Sequence, residues 1–188
     1  MNVSLFRPAE ILMAQYAAYH RDRRNIVTHF IGIPMIFAAI AVWLAFPLGR
    51  QWGAYGITAA WLMWALTSFW YLTRGDVLLG LATAVVNGLL VALAHRLASL
   101  APDWGLVGWQ LGALLFGVGW LFQFAGHYWE GRKPAFVDDL VGLLTGPMFV
   151  VAEVLMVFGA LGALHREVTA QAGPTRWGSG PQASREIS

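Results

Sequence analysis

The sequence predicts an all-α fold: a polytopic membrane helix bundle with four to five transmembrane helices plus an N-terminal interfacial helix. Three observations predict it. No Asp, Glu, Lys or Arg occurs from residue 25 to 49, 51 to 73, 77 to 95 or 104 to 129, and from residue 140 to 165 the only charge is Glu153. About 20 apolar helical residues cross a hydrocarbon core, so each run is long enough or nearly so. Of the 188 residues, 58% are hydrophobic and 12% charged, too little charge to surface a soluble domain of this size. The apolar runs are continuous rather than alternating, which argues against a β-barrel and leaves helices to satisfy the backbone in lipid.

The elements follow in order. Pro8 to His20 reads as an amphipathic interfacial helix, because its short apolar run is followed by Tyr16, Tyr19, His20 and a cluster of arginines. That charge order is the reverse of a secretory signal's. Asn25 to Phe46 is the first span, ended near Pro47 and Gly49, and Trp52 to Leu72 is the second. Val77 to Ala94 is the third and Leu106 to Trp129 the fourth. Gly146-Pro147 interrupts the last segment, and proline suits a helix's first turn. The expectation there is a short interfacial helix over Phe136 to Leu144 and a final span from Pro147 to Leu164, with a re-entrant hairpin as the alternative. Residues 1–165 form a single integral-membrane helical domain in this reading, and 166–188 a polar, disordered tail rich in turn formers.

Loop charges orient the bundle. If spans alternate, Arg7, Arg21, Arg23, Arg24, Arg74, Arg132 and Lys133 share one side, against Arg50 and Arg96 on the other. The positive-inside rule puts the first group in the cytoplasm. His20, His29 and His127 then reach the same membrane level, with Glu130 beside them. His95 goes to the opposite face, as does His165 if the last segment crosses fully.

Cysteine is absent, which excludes disulfides, thiolate metal sites, iron–sulfur clusters and cysteine nucleophiles. Any metal must use nitrogen and oxygen. The net charge of +2 comes from loop arginines and does not point to nucleic acid. His20 and His29 would lie on opposite faces of one unbroken helix, but a break at residues 21–25, capped by Asp22 or Asn25, could turn both to one point. Asn25 and His29 share a face, as do Gln123, His127 and Glu130 at i, i+4 and i+7. A His–Glu pair three apart is a carboxylate spacing used in bundle metal sites, though Glu130 could equally pair with Arg132 or Lys133. Glu153 is costly in an apolar span and has Asn87, Thr145 or a ligand histidine as candidate partners. Gly108 with Gly112, and Gly142 with Gly146, have the spacing of close helix contacts.

These positions carry a family resemblance. Tyr16-x-x-Tyr19-His20, then Asn25-x-x-x-His29-x-x-Gly32-x-Pro34, resembles the opening of the membrane 2-hydroxy fatty acid dioxygenases. A second block resembles the same family: Gly119-Trp120-x-Phe122-Gln123-Phe124-x-Gly126-His127-x-x-x-Glu130-x-Arg132-x-Pro134-Ala135, then Asp138 and Asp139. A third is Gly146-Pro147-x-Phe149 with Glu153. The resemblance implies an Fe2+-dependent, O2-consuming cleavage of a 2-hydroxy fatty acid between C1 and C2, leaving an acid one carbon shorter. It implies His20, His29 and His127 as metal ligands. The residues themselves offer Glu130, Gln123, Asn25 and Glu153 as catalytic candidates beside them, and Arg132 or Lys133 as the charge that could steer the substrate carboxylate to the metal. The implied partners are the fatty acid, O2 and the bilayer, with a homo-oligomer left open. The implied location is the bacterial inner membrane in a prokaryote or the endoplasmic reticulum in a eukaryote.

Other readings compete. Membrane di-iron hydroxylases need clustered histidine repeats, beyond the five histidines here. A haem protein would set His29 and His127 as axial ligands. A proton-coupled transporter would use Glu153 and Asn87 near the midplane.

Overall fold

The computed structural model describes residues 5–45, 57–134 and 141–178. All regular elements among them are helical: α1 (Ala9–Ala17), α2 (Arg23–Trp43), α3 (Ala59–Leu72), α4 (Val77–Leu100), α5 (Gly108–Glu130), α6 (Val141–Val157) and α7 (Gly162–Ala172). A 3₁₀ turn, Ala101–Trp104, follows α4.

Short polar residues set the helix starts. Asp22 accepts from the Arg24 N–H, Thr58 from the Trp61 N–H and Asp76 from the Leu79 N–H, so each caps donors that a helix's first turn leaves free. The expected break between His20 and His29 therefore exists, and Asp22 rather than Asn25 makes the cap. At the same end of the bundle as Asp22, α5 stops at Gly131, whose φ of 70° is left-handed and suits glycine. The third span is longer than expected, because the helix continues through His95 and Arg96 to Leu100 before Pro102 turns it.

α2 and α5 form the main axis of the bundle, packed along their length, while α3 and α4 form a neighbouring pair that also meets α2. Glycines allow the close α2–α5 approach. Gly112, Gly119 and Gly126 recur every seven residues on α5, and a Cβ on them would strike Trp43, Ile36 and Asn25 with Thr28 respectively. Two turns bring each glycine back to the same face. The expected Gly108–Gly112 pair is only half right, since a Cβ on Gly108 would meet nothing. Gly146 is packed, against Ile33 and Tyr16.

Among the described residues, two helices are long and apolar enough by themselves to cross a membrane, Arg23–Trp43 and Val77–Trp104, or three crossings if the bent α6–α7 pair counts as one span. Apolar side chains such as Leu66, Phe69, Val85, Leu89 and Leu121 stand exposed on the bundle's outside, as lipid contact requires. The described α3 has 14 residues, and the start of the expected second span lies outside the described residues.

The last segment corrects two expectations. Pro147 does not open a helix but lies inside α6, whose described part begins at Val141; the expected helix start at Phe136 lies outside the described residues. Proline there removes the donor that Leu143 O would have, and at the next carbonyl the Tyr71 hydroxyl donates to Leu144 O at 3.1 Å. The chain then bends by 114° through Gly159, which has a φ of 76°, into α7. α6 begins against Tyr71 at the end of α3 and reaches Arg21 through Glu153, and α7 leads on to Gly173, again at Arg21. The bend brings His165 back beside Arg21 and Arg23, with which it lines a cavity.

Part of the expected polar tail lies within the described residues. Residues 166–172 are helical in α7, which covers α1 through the buried Leu164 and Val168. The interfacial helix α1 is consequently sandwiched between α6 and α7 rather than lying bare. Beyond α7, Arg176 pairs as a short bridge with Asp22, its N–H donating to Arg21 O at 2.8 Å and its carbonyl accepting from Arg23 N–H at 2.9 Å.

Candidate metal centre and its cavity

Three histidines from three segments converge. His20 follows α1, His29 lies one and a half turns into α2, and His127 lies near the end of α5; all three are buried. Their ring centroids are 4.4, 4.9 and 5.1 Å apart, and one ring nitrogen from each falls within 4.8 Å of the others.

Hydrogen bonds decide which nitrogens face inward. His20 Nδ1 donates to the Tyr16 carbonyl at 2.6 Å, and His29 Nδ1 donates to the Asn25 carbonyl at 2.9 Å. A carbonyl can only accept, so Nδ1 carries the proton on both rings. Both Nε2 atoms then present lone pairs, yet they stand 2.9 Å apart. Two facing lone pairs at that distance call for a cation between or beside them. Nitrogens this close subtend an angle of about 90° at an ion about 2.1 Å from each, an ordinary metal–imidazole distance. The donor set therefore fits a metal. Burial, followed by the neighbouring His29 and His127 rings, holds His20 well below the ordinary imidazole range, keeping it neutral as a ligand must be.

The remaining predicted site residues divide into those at the centre and those supporting it. Gln123 lies against Gly32 and lines the cavity with His29 and His127, and its buried Nε2 makes no protein hydrogen bond. Asn25 Nδ2 donates to Tyr19 O at 3.0 Å and to Glu130 Oε2 at 3.1 Å. Glu130 Oε2 also accepts the Asp22 N–H at 2.7 Å, and Oε1 accepts from Arg176 at 3.3 Å. Glu130 thus ties the end of α5 to the start of α2. Among the described residues, the metal-capable group contains the three histidines without a carboxylate. Arg132 donates to Ala18 O at 2.7 Å and lies over the Tyr19 ring, while Lys133 is exposed beside it.

Glu153 is not at the histidines. Its carboxylate is 3.9 Å from Arg21, and it lines a second cavity with Arg23 and His165. It meets neither Asn87 nor Thr145, whose hydroxyl donates to Val141 O. This removes the pair on which a transporter site would rest. The close packing of the histidine rings likewise leaves no gap for a macrocycle between His29 and His127. His95 is remote, bonded to Val91 O and Thr58 Oγ1 and stacked on Trp61.

Sequence reasoning missed three contributors. Tyr16 stacks on His20 at 4.2 Å and lines the cavity; its place four residues before His20 was the available signal. Asp22 was seen only as a cap, but its backbone N–H also anchors Glu130. Arg176 comes from the tail, and no local pattern marks it.

From the histidines an apolar cavity of about 320 Å³ runs between α2 and α5. His29, Ile33, Ile36, Phe37 and Ile40 line it from α2, and His127, Gln123, Trp120 and Phe116 from α5. α6 covers the end nearest the histidines with Gly142, Leu143, Gly146 and Pro147. A polar, metal-capable head with an apolar trough behind it is the shape of a site for an amphiphile.

Residues 6–158 match the family described as 2-hydroxy-palmitic acid dioxygenase Mpo1-like. The chain belongs to this family. It is also 33% identical to the 2-hydroxy-palmitic acid dioxygenase MPO1 of Saccharomyces cerevisiae over 146 residues, covering 77% of this chain and 78% of the yeast protein. No solved structure matches the chain. In this Mpo1-like chain the matched stretch holds all three clustered histidines with Gln123, Glu130 and Glu153, and it stops before α7 and Arg176.

Proposed function

We propose that this chain is an Fe2+-dependent dioxygenase that cleaves membrane-borne 2-hydroxy fatty acids between C1 and C2, releasing an acid one carbon shorter. The observation that carries the reading is the meeting of three buried imidazoles at the head of an apolar cavity. Membership of the Mpo1-like family and the likeness to the yeast dioxygenase support the same chemistry.

His20, His29 and His127 would hold the metal. The Tyr16 and Asn25 carbonyls fix two of these rings through Nδ1, which aims Nε2 at the ion and raises its basicity. Ferrous iron, if held by these three imidazoles, would supply the activation of O2 beside the carboxylate and hydroxyl of the substrate. Gln123 offers the substrate head a donor from Nε2 that the fold leaves unmatched. Asn25 and Glu130 hold the α2 and α5 ends in register, so they position His29 and His127 rather than touch the substrate. Glu153 acts further out, steadying Arg21 beside His20. Arg132 and Lys133, just before the cavity-lining Pro134, place positive charge near the histidine end for an arriving carboxylate. The acyl chain lies among the α2 and α5 side chains, where each buried methylene contributes about 0.8 kcal/mol. We read α2, α3, α4 and α5 as four crossings, with α6 and α7 re-entrant.

Metal analysis of the purified protein tests this, combined with turnover of a long-chain 2-hydroxy acid in air, without O2 and after chelation. The expected result is about one iron per chain and turnover that needs both iron and O2. Undiminished turnover in a thoroughly chelated sample would end the proposal.

A further inference from the structure

The cavity has a definite far end. Its lining residues on α2 run from His29 to Ile40, and those on α5 from His127 back to Phe116, so the two helices pass antiparallel and the histidines lie at one end only. One turn beyond Ile40, Trp43 crosses from α2 to α5. Its indole occupies the space that a side chain at position 112 would fill, which is why Gly112 is needed there. The indole N–H donates to the Trp109 carbonyl at 3.1 Å, and the ring meets Phe116 with centroids 5.1 Å apart. A pinned, bulky ring thus stands where the gap between α2 and α5 would otherwise continue.

We infer that Trp43, seated on Gly112 and packed against the cavity-lining Phe116, is the stop that sets the longest acyl chain this site accepts. The inference rests on the proposed reaction for the identity of the head group and adds the residues that measure the tail. The rise from His29 to Ile40 is about 16 Å at 1.5 Å per residue. An extended hydrocarbon advances about 1.25 Å per carbon, given C–C bonds near 1.5 Å, so about 13 carbons fit beyond the reacting pair. That is a chain of about palmitic length. A longer chain must displace a ring held by a hydrogen bond and by packing on both sides, and overfilling a packed space is unfavourable.

The test uses the full-length protein with Trp43→Ala, Phe116→Ala and Ile40→Trp variants. Saturated 2-hydroxy acids from lauric to behenic are compared by kcat/KM. In parallel, plain fatty acids of the same lengths compete with a fluorescent fatty acid for the metal-free protein. Trp43→Ala opens about one helical turn, or room for about four more carbons, and moves the optimum of both assays to longer chains by that amount. Phe116→Ala moves it the same way by less, and Ile40→Trp moves it to shorter chains. If Trp43→Ala does not fold, the opposite shifts of the other two carry the result. Unchanged length profiles in folded variants overturn the stop and mean that the tail leaves sideways into lipid. A length-limited binding profile without turnover of any 2-hydroxy acid would instead defeat the proposed reaction and leave the stop standing.

Discussion

His20 Nε2 and His29 Nε2 stand 2.9 Å apart, while each ring's other nitrogen is fixed to the main-chain carbonyl four residues earlier, at Tyr16 and at Asn25. The two rings cannot rotate to relieve the encounter without giving up a buried hydrogen bond. Such an arrangement is stable around a cation, and His127 closes the third side.

Removing one of these rings should therefore empty the site. His29→Ala or His127→Ala is expected to lower metal affinity by more than about 100-fold, beyond what loss of an orienting partner alone does. His95→Ala, whose ring bonds Thr58 and Val91 far from the cluster, should keep full metal content. Metal per chain, measured on folded protein after gel filtration, decides the matter; iron retained in both cluster variants would refute the centre.

Glu130 is expected to matter for assembly more than for ligation. Glu130→Gln removes the charge that receives the Asp22 N–H, the Asn25 amide and Arg176, at a cost of about 1.5–3 kcal/mol. Arg176→Ala, which removes one half-exposed partner, should cost no more than about 1 kcal/mol. Thermal unfolding in detergent ranks the two. Equal effects would mean that Glu130 serves only the tail.

The glycine row on α5 gives a packing test. Gly126→Ala places a methyl against Asn25 and Thr28 and should destabilise by about 1–3 kcal/mol, with weaker metal binding because Asn25 carries the carbonyl that fixes His29. Gly108→Ala meets nothing and should be neutral or mildly stabilising. A harmless Gly126→Ala would show that α2 and α5 are less closely apposed than described.

The metal-free protein should weaken in mild acid. Burial, then His29 and His127, depress the pKa of folded His20, so the unfolded chain takes up a proton near pH 6.5 that the folded chain refuses. Stability is then full above about pH 6.5 and falls by up to about 1.4 kcal/mol per pH unit for this one group as pH drops below it. Asp22, held below the usual carboxylate range by hydrogen bonds from Arg24, adds a further loss only once pH falls below about 3.8. Melting temperatures of the apo protein against pH check the order. A flat profile between about pH 7 and 5 would show that His20 is not held neutral.

Sequence alone determined where α2, α4 and α5 lie and which side chains could share a site, because those signals are local. Uncharged run length marks α2 and α4, Asp22 marks the turn that brings His20 back to His29, and a four-residue period aligns Gln123 with His127. The seven-residue row Gly112, Gly119, Gly126 is equally legible, since two helical turns return each glycine to one face. Tertiary structure alone decided that the chain bends by 114° between α6 and α7, that Glu153 lies at Arg21, that Arg176 reaches Glu130, and that Trp43 crosses to Gly112 and Trp109. The reason is physical: each depends on which distant surface is left uncovered once α2 and α5 have packed, and no repeat along the chain encodes a contact made across it.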